Sequence, residues 1–374
     1  MIQDNLMKTN TKFKVFFSIA SVIGGIEAFF HLYPSFGGEV TGKDLEGYKK
    51  RTPYIRKNKF IYPDEWKLDG MEKNVKLSKN KSVPKQKMAA SVPNLEAPED
   101  GSYKFTWFGH SSVFIQDDGK NILVDPVLVN RFFPVPGMGP KRFSEIPIMI
   151  KDLPHIDAVL ITHDHHDHLE PKTLKALDYK VDRYIVPLGI SKHLLRWGIE
   201  KKKIEELAWW EDTSYKGIRF TCTPSRHFSG RRLTGQNRTE YCSYVIKTKN
   251  HQFFDSGDGS LGRHFELIKE KFGAFDLAIM ECGQYNSNWH YSHMYPEESV
   301  DMAKIINAKT TVPVHWGAFV ISDHAWDDPI TRFTKAASTK GLNIITPQIG
   351  ETIVSKERGC VRNIYNGDIH GKET

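Results

Sequence analysis

Thr162-His163-Asp164-His165-His166-Asp167-His168-Leu169-Glu170 follows directly on the apolar, strand-like run Ile156-Asp157-Ala158-Val159-Leu160-Ile161. A turn leaving a strand end can splay alternating side chains toward two different points. In the pattern His-x-His-x-Asp-His, one metal ion can collect His163 and His165 while a neighbour collects Asp167 and His168. Imidazole and carboxylate are the ligands that a borderline ion such as zinc takes. A histidine-rich surface turn that binds metal only adventitiously is the alternative.

Four side chains are too few for two catalytic ions, so later positions must contribute. His227 lies in Thr223-Pro224-Ser225-Arg226-His227-Phe228, after the strand-like Ile218-Arg219-Phe220-Thr221-Cys222. Asp258 lies in Ser256-Gly257-Asp258-Gly259, after the aromatic run Phe253-Phe254. His315 follows Thr310-Thr311-Val312-Pro313-Val314 and precedes Trp316-Gly317. Each sits where a strand gives way to a loop, the usual place for sites in layered α/β folds. Alone, each reads as an ordinary polar loop residue; in this order, downstream of the histidine-rich turn, they read as ligands.

With these ligands in place, the chain resembles the metallo-β-lactamase-fold hydrolases. Within them it most closely resembles the N-acylphosphatidylethanolamine-hydrolysing phospholipase D family. The matching segments include Gly139-Pro140-Lys141-Arg142-Phe143, Val186-Pro187-Leu188-Gly189, Trp209-Trp210-Glu211, His293-Met294-Tyr295-Pro296 and His315-Trp316-Gly317-Ala318-Phe319. The likeness runs from about Phe105 to Val354. Two departures stand out: Gly259-Ser260 after Asp258, and Phe228 in place of a common Trp.

The resemblance implies an αββα sandwich and a centre of two zinc ions. His163, His165 and His227 would hold the first ion, Asp167, His168 and His315 the second, and Asp258 would bridge them. Asp167, Asp258 and His293 are the residues expected to carry catalysis. Water shared by two dications loses a proton far more readily than bulk water. The hydroxide would attack phosphorus in N-acylphosphatidylethanolamine or a related phospholipid, giving phosphatidic acid and an N-acylethanolamine. Asp125, in Val124-Asp125-Pro126, matches an early acidic position that could orient a ligand histidine; a turn-forming Asp before proline is the alternative. His293 reads as a leaving-group or substrate contact, or as a plain loop histidine. His110 and His166 read as structural or solvent-facing. The same centre would also suit a lactonase or β-lactam hydrolase, and less readily an RNA-processing nuclease. No Ser-His-Asp elbow and no phosphate-binding P-loop is present in the sequence.

The net charge of +7 suits an anionic partner, either a phospholipid surface or nucleic acid; a soluble protein that happens to be basic is the alternative. No nucleic-acid partner is expected, because the added basic arm that such a nuclease would carry is missing. Cys222, Cys242, Cys282 and Cys360 are scattered, which fits buried free thiols better than a disulfide framework. At the N-terminus, Lys8, Lys12 and Lys14 precede an apolar stretch counted from Phe13 to Tyr33, with Glu27 inside it. A spanning helix needs about 20 such residues. The segment fits an uncleaved membrane anchor, with a cleaved signal or a membrane-surface helix as alternatives. The lysines before it suggest an extracytoplasmic catalytic domain, although Lys49, Lys50 and Arg51 follow closely.

The expected division is therefore 1–33, anchor or signal-like segment; 34–100, linker or wrapping segment; 101–360, hydrolase domain; and 361–374, tail. Ser78 to Pro98 reads as linker because Pro84, Pro93 and Pro98 discourage regular structure. Tyr54 to Trp66 mixes aromatic and basic residues, as a segment wrapping a domain or touching headgroups would. A hairpin is predicted from Phe105 through Asp117-Asp118-Gly119-Lys120 to Asp125. Helices are predicted around Ile190–Trp197, Phe265–Phe272, from Pro296, and from Ile330 to Gly341.

Overall fold

The computed structural model describes residues 24–26, 28–69 and 82–355. Most of the expected anchor and the tail at 361–374 lie outside them, and among the described residues no helix is long and apolar enough to cross a membrane.

Residues before the catalytic fold are more ordered than their weak periodicity suggested. Helix α1 (Gly42–Tyr48) starts in a capping box, with Thr41 and Asp44 each bonding the other's backbone N–H. A short hairpin follows, β1 (Ile55–Arg56) with β2 (Lys59–Phe60). Leu45, Tyr48, Phe60 and Tyr62 join the main core. Tyr54 lies 5.0 Å from the Trp209 ring and Tyr62 6.3 Å from it, contacts that each contribute about 0.5–1.5 kcal/mol beyond simple burial. Further on, described residues 82–98 contain no helix and no strand longer than the single Met88–Ser144 bridge.

The predicted hairpin forms as β3 (Tyr103–Trp107), β4 (Val113–Asp117) and β5 (Lys120–Val124), paired antiparallel. Its tight turn places Asp118 and Gly119 at φ 49° and 69°, the geometry that matches strand twist in two-residue hairpins. Strands β6 (Ile156–Leu160), β7 (Val181–Pro187) and β8 (Ile204–Leu207) then add in parallel. Two helices, α2 (Pro171–Leu177) and α3 (Ser191–Arg196), connect them. The second sheet contains β9 (Asp212–Tyr215), β10 (Ile218–Pro224), β11 (Cys242–Lys247), β12 (Gln252–Asp255), β13 (Leu277–Glu281) and β14 (Thr311–Val314). Its order is β14-β13-β12-β11-β10-β9, and β15 (Thr352–Val354) closes the first sheet as β15-β3-β4-β5-β6-β7-β8. Helices α4 (His264–Phe272), α5 (Pro296–Ile305) and α6 (Asp328–Lys340) complete the chain.

Side-chain alternation assembles the layers. In β4 and β5, Val113, Ile115, Ile122 and Val124 face the core between the sheets. Phe114 and Leu123 face the opposite way, toward Leu174 of α2 and Leu194 of α3. Likewise Leu277 and Ile279 of β13 face the central core, while Ala278 and Met280 meet Phe265, Ile268 and Met302 on α4 and α5. Burial on both faces explains why these strands read as continuous apolar runs. The result is an α/β fold of two mixed sheets, with helices outside them. α6 packs Ile330, Phe333 and Ala337 into the central core and stops at Gly341, whose φ of 64° gives the left-handed cap.

Candidate metal centre

Every candidate ligand follows the end of a strand, and the ends gather at one edge of the sandwich. The loop 163–170 leaves β6 and enters α2 through Glu170, whose carboxylate accepts the N–H groups of Lys172 (3.1 Å) and Thr173 (2.7 Å). Asp164 anchors the loop from below, accepting from Gly230 N–H (2.6 Å) and the Thr239 hydroxyl (2.9 Å). Arg231 donates to the carbonyls of Asp164 (2.7 Å) and Leu169 (2.8 Å) and, from the same guanidinium, to those of Ser35 and Phe36 (3.0 and 3.2 Å). The odd-numbered histidines are thereby turned inward on a rigid support.

Two groups of donor atoms form. His163 Nε2 and His227 Nε2 lie 2.9 and 3.1 Å from His165 Nδ1. The second group is His110, Asp167, His168 and His315, all buried. Asp258 stands between them: its Oδ2 is 3.1 Å from His168 Nε2 and 3.2 Å from His315 Nε2, and 3.8 and 4.0 Å from the Nε2 atoms of His163 and His227. The structure thus brings all seven expected ligands together.

The outer hydrogen bonds fix which nitrogen faces inward. His168 donates Nδ1–H to Asp125 (2.7 Å), which also accepts from the Thr162 N–H (2.9 Å) and hydroxyl (2.6 Å). Because the Thr162 hydroxyl proton is used, its oxygen accepts Nδ1–H of His163 (3.0 Å). His227 donates Nδ1–H to the Ser292 carbonyl (2.8 Å). For His163 and His227 this leaves Nε2 as a lone pair aimed at the centre, the arrangement that metal-binding histidines require; in His168 it leaves Nε2 facing Asp258.

These residues fit a metal ion on three grounds. Donors around a tetrahedral ion, each about 2.0–2.1 Å from it, lie roughly 3.3 Å apart, close to the spacing of the first group. His168 Nε2 and Asp258 Oδ1 are buried with no hydrogen-bond partner, a costly state unless a ligand satisfies them. Burial pushes the His163, His227 and His315 imidazoles well below their usual range, so they are neutral donors near pH 7. The His/Asp groups are consistent with a binuclear site.

Backbone strain marks the same residues. His110, Asp125 and His315 adopt φ of 55°, 42° and 69°, left-handed positions that cost a side-chain-bearing residue about 1–2 kcal/mol each. Gly257 (φ 53°) precedes Asp258 where a Cβ would sit 2.5 Å from the Cys242 carbonyl oxygen.

Asp125 takes the ligand-orienting position of its two alternatives. His293 lies against the centre, its ring 5.3 Å from His315 and 5.1 Å from His227, with Nδ1 3.5 Å from Glu281 Oε2. His110 takes the structural of its two alternatives: it is fully buried and its Nε2 lies 2.8 Å from Asp167 Oδ2. Gly109-His110-Ser111 does follow β3, but a single histidine after a strand, upstream of the histidine-rich turn, is too weak a signal to show that contact. His166 is not solvent-facing either: its Nε2–H reaches the Arg231 carbonyl (3.1 Å), and its ring meets Phe36 and Phe133. Glu281 and Arg231 carried no sequence signal. Cys222, Cys242 and Cys282 are buried free thiols.

Residues 120–316 match the family described as Beta-lactamase superfamily domain. An uncharacterised protein of Mycobacterium tuberculosis is 34% identical over 276 residues, which cover 73% of this chain and 74% of that one. The N-acyl-phosphatidylethanolamine-hydrolyzing phospholipase D 1 of Caenorhabditis elegans is 32% identical over 57% of this chain and 64% of its own length. Among solved structures, a metallo hydrolase from Ignicoccus hospitalis superposes with a TM-score of 0.52 at 20% identity, covering 68% of this chain and 98% of that one.

Proposed function

The chain belongs to the metallo-β-lactamase superfamily, and from that premise we propose that this metal-dependent hydrolase cleaves a phospholipid phosphodiester on the headgroup side of phosphorus. N-acylphosphatidylethanolamine is the substrate proposed, with phosphatidic acid and an N-acylethanolamine as products. The observation that carries the two-ion reading is Asp258, one carboxylate within 3.1–4.0 Å of inward nitrogens from both groups. The Caenorhabditis relative, named for this lipid, supports the substrate.

His163, His165 and His227 would hold one divalent ion, Asp167, His168 and His315 the other, and Asp258 both; zinc suits this donor set. Such ions, when bound, neutralise charge on phosphoryl oxygens and make water acidic enough for hydrolysis near neutral pH. The chain does the rest. Asp125 and Thr162 lock the His168 and His163 tautomers. Asp258 and Asp167 balance the positive charge. With Nδ1 turned toward Glu281, His293 presents Nε2 as the atom that hands a proton to the departing alcohol.

A membrane partner and attachment through the N-terminal segment belong to the same proposal, since a long apolar substrate resides in a bilayer. Reaction in oxygen-labelled water tests it. Label should enter phosphatidic acid and stay out of the N-acylethanolamine. Label in the alcohol means carbon–oxygen cleavage, and no turnover alongside rapid lactone opening replaces the phosphodiester reading with the lactonase one.

A further inference from the structure

Three aromatic rings touch the neighbouring histidines His165 and His166 of the metal loop. Phe36 lies 5.8 Å from His166, Phe133 5.6 Å from His166, and Phe228 4.4 Å from His165. Behind each ring stands an exposed apolar side chain. Phe29 packs on Phe36 (5.8 Å) and is 41% exposed, with Leu32 beside it at 74%. Gly139 packs directly on Phe133, and its neighbour Met138 is 55% exposed. Tyr291 lies 6.4 Å from Phe228 and is 57% exposed. Leu233, two residues beyond the carbonyl that accepts from His166, is 72% exposed. Single exposed apolar residues are ordinary; a ring of them around one catalytic mouth is not.

We propose that this rim is a bilayer-docking face, on which Phe29, Leu32, Met138, Leu233 and Tyr291 enter the lipid while the metal loop looks onto the headgroups. The inference rests on the lipid reading above and names the surface that serves it. A protein covering the rim would close the entrance, whereas a bilayer both buries the apolar side chains and delivers the substrate. Phe29 and Leu32, the described end of the sequence's apolar N-terminal stretch, sit at this rim. The join is firm: Arg196 donates to the carbonyls of His31 (2.8 Å) and Leu32 (3.1 Å), and Arg231 ties Ser35 and Phe36 to the metal loop. Arg196 is itself exposed and places positive charge beside the apolar ring, as an interface with anionic lipid requires.

Depth-dependent quenching tests the face apart from catalysis. The full chain, with Cys360→Ser to leave only buried native thiols, receives a bimane label at Leu233→Cys or, separately, at Lys249→Cys. Lys249 is exposed beside the Asp118 turn, at the opposite end of the strands. The vesicles are phosphatidylcholine with phosphatidylglycerol and a nitroxide-bearing lipid, and contain no substrate. Bimane at 233 should be quenched at least roughly twofold more than at 249, as expected for side chains buried some 5–10 Å into the boundary. Equal quenching at the two positions, or none at 233, overturns the proposal. Leu32→Cys supplies a second rim position should Leu233→Cys fold poorly. Since no turnover is measured, a wrong substrate assignment leaves this result unaffected.

Discussion

His110 Nε2 lies 2.8 Å from Asp167 Oδ2, so the turn after β3 is tied to the metal loop after β6. The contact crosses the first sheet from β3 to β6, and both residues are buried. A carboxylate held this way has one oxygen engaged and its orientation fixed, which is how outer partners tune a ligand. His110→Ala should lower affinity for the second ion about 10–100-fold with little change at the first. Stepwise removal by a chelator, followed by metal analysis, reads this; loss of both ions together contradicts it.

Asp258 should be needed for both ions. Wild-type protein is expected to retain two transition-metal ions per chain. Asp258→Ala should weaken both ions and lower turnover by at least about a hundredfold. Unchanged occupancy and rate would remove Asp258 from the centre.

Acid should loosen the wrapping segment through His264. This buried imidazole lies 2.9 Å from the Tyr62 hydroxyl, and burial, with Arg226 adding to it, pushes it from 6.5 down to about 3. The unfolded chain takes up a proton near pH 6.5 that the folded protein refuses. Its stabilising contribution is therefore complete above pH 6.5 and declines as pH falls toward 3, by about 1.4 kcal/mol per unit. Between pH 7 and 5, the wild type should lose about 2 kcal/mol more than His264→Gln. Urea unfolding at the two pH values gives the comparison, and equal losses would exclude His264.

Arg231 should be among the most sensitive positions away from the ligands. Its buried guanidinium donates to four backbone carbonyls in two distant segments and stacks over Trp197 at 5.1 Å. Arg231→Met leaves those carbonyls without this donor and should cost at least about 3 kcal/mol. Arg231→Lys, which cannot span both segments, should recover only part of it. A denaturant midpoint within error of wild type would show that water replaces the guanidinium.

Much of this protein was legible from residue order alone. The predicted hairpin formed because short apolar runs on either side of an Asp-Gly turn fix strand and register locally. The helices ending at Gly273 and Gly341 stop where a residue with φ of 77° or 64° is needed. His163, His165, Asp167 and His168 were visible because one short turn carries them all. His227, Asp258 and His315 were visible because each follows a strand.

What the letters could not carry is anything decided between segments far apart in sequence. A histidine after a strand reads alike whether it faces solvent or a neighbouring carboxylate, so His110 stayed hidden until the first sheet set β3 and β6 on the same edge. Glu281 and Arg231 have no local pattern, because their partners, His293, the metal loop and residues 35–36, are fixed only by packing. The packing of Tyr54 and Tyr62 depends on Trp209, far along the chain, and residues 35–36 are held by Arg231, contacts that exist only in the assembled fold. Local periodicity and turn chemistry act over a few residues and are written in the sequence. Burial, tautomer and shared carboxylates arise where distant strand ends meet, and only the tertiary structure determines them.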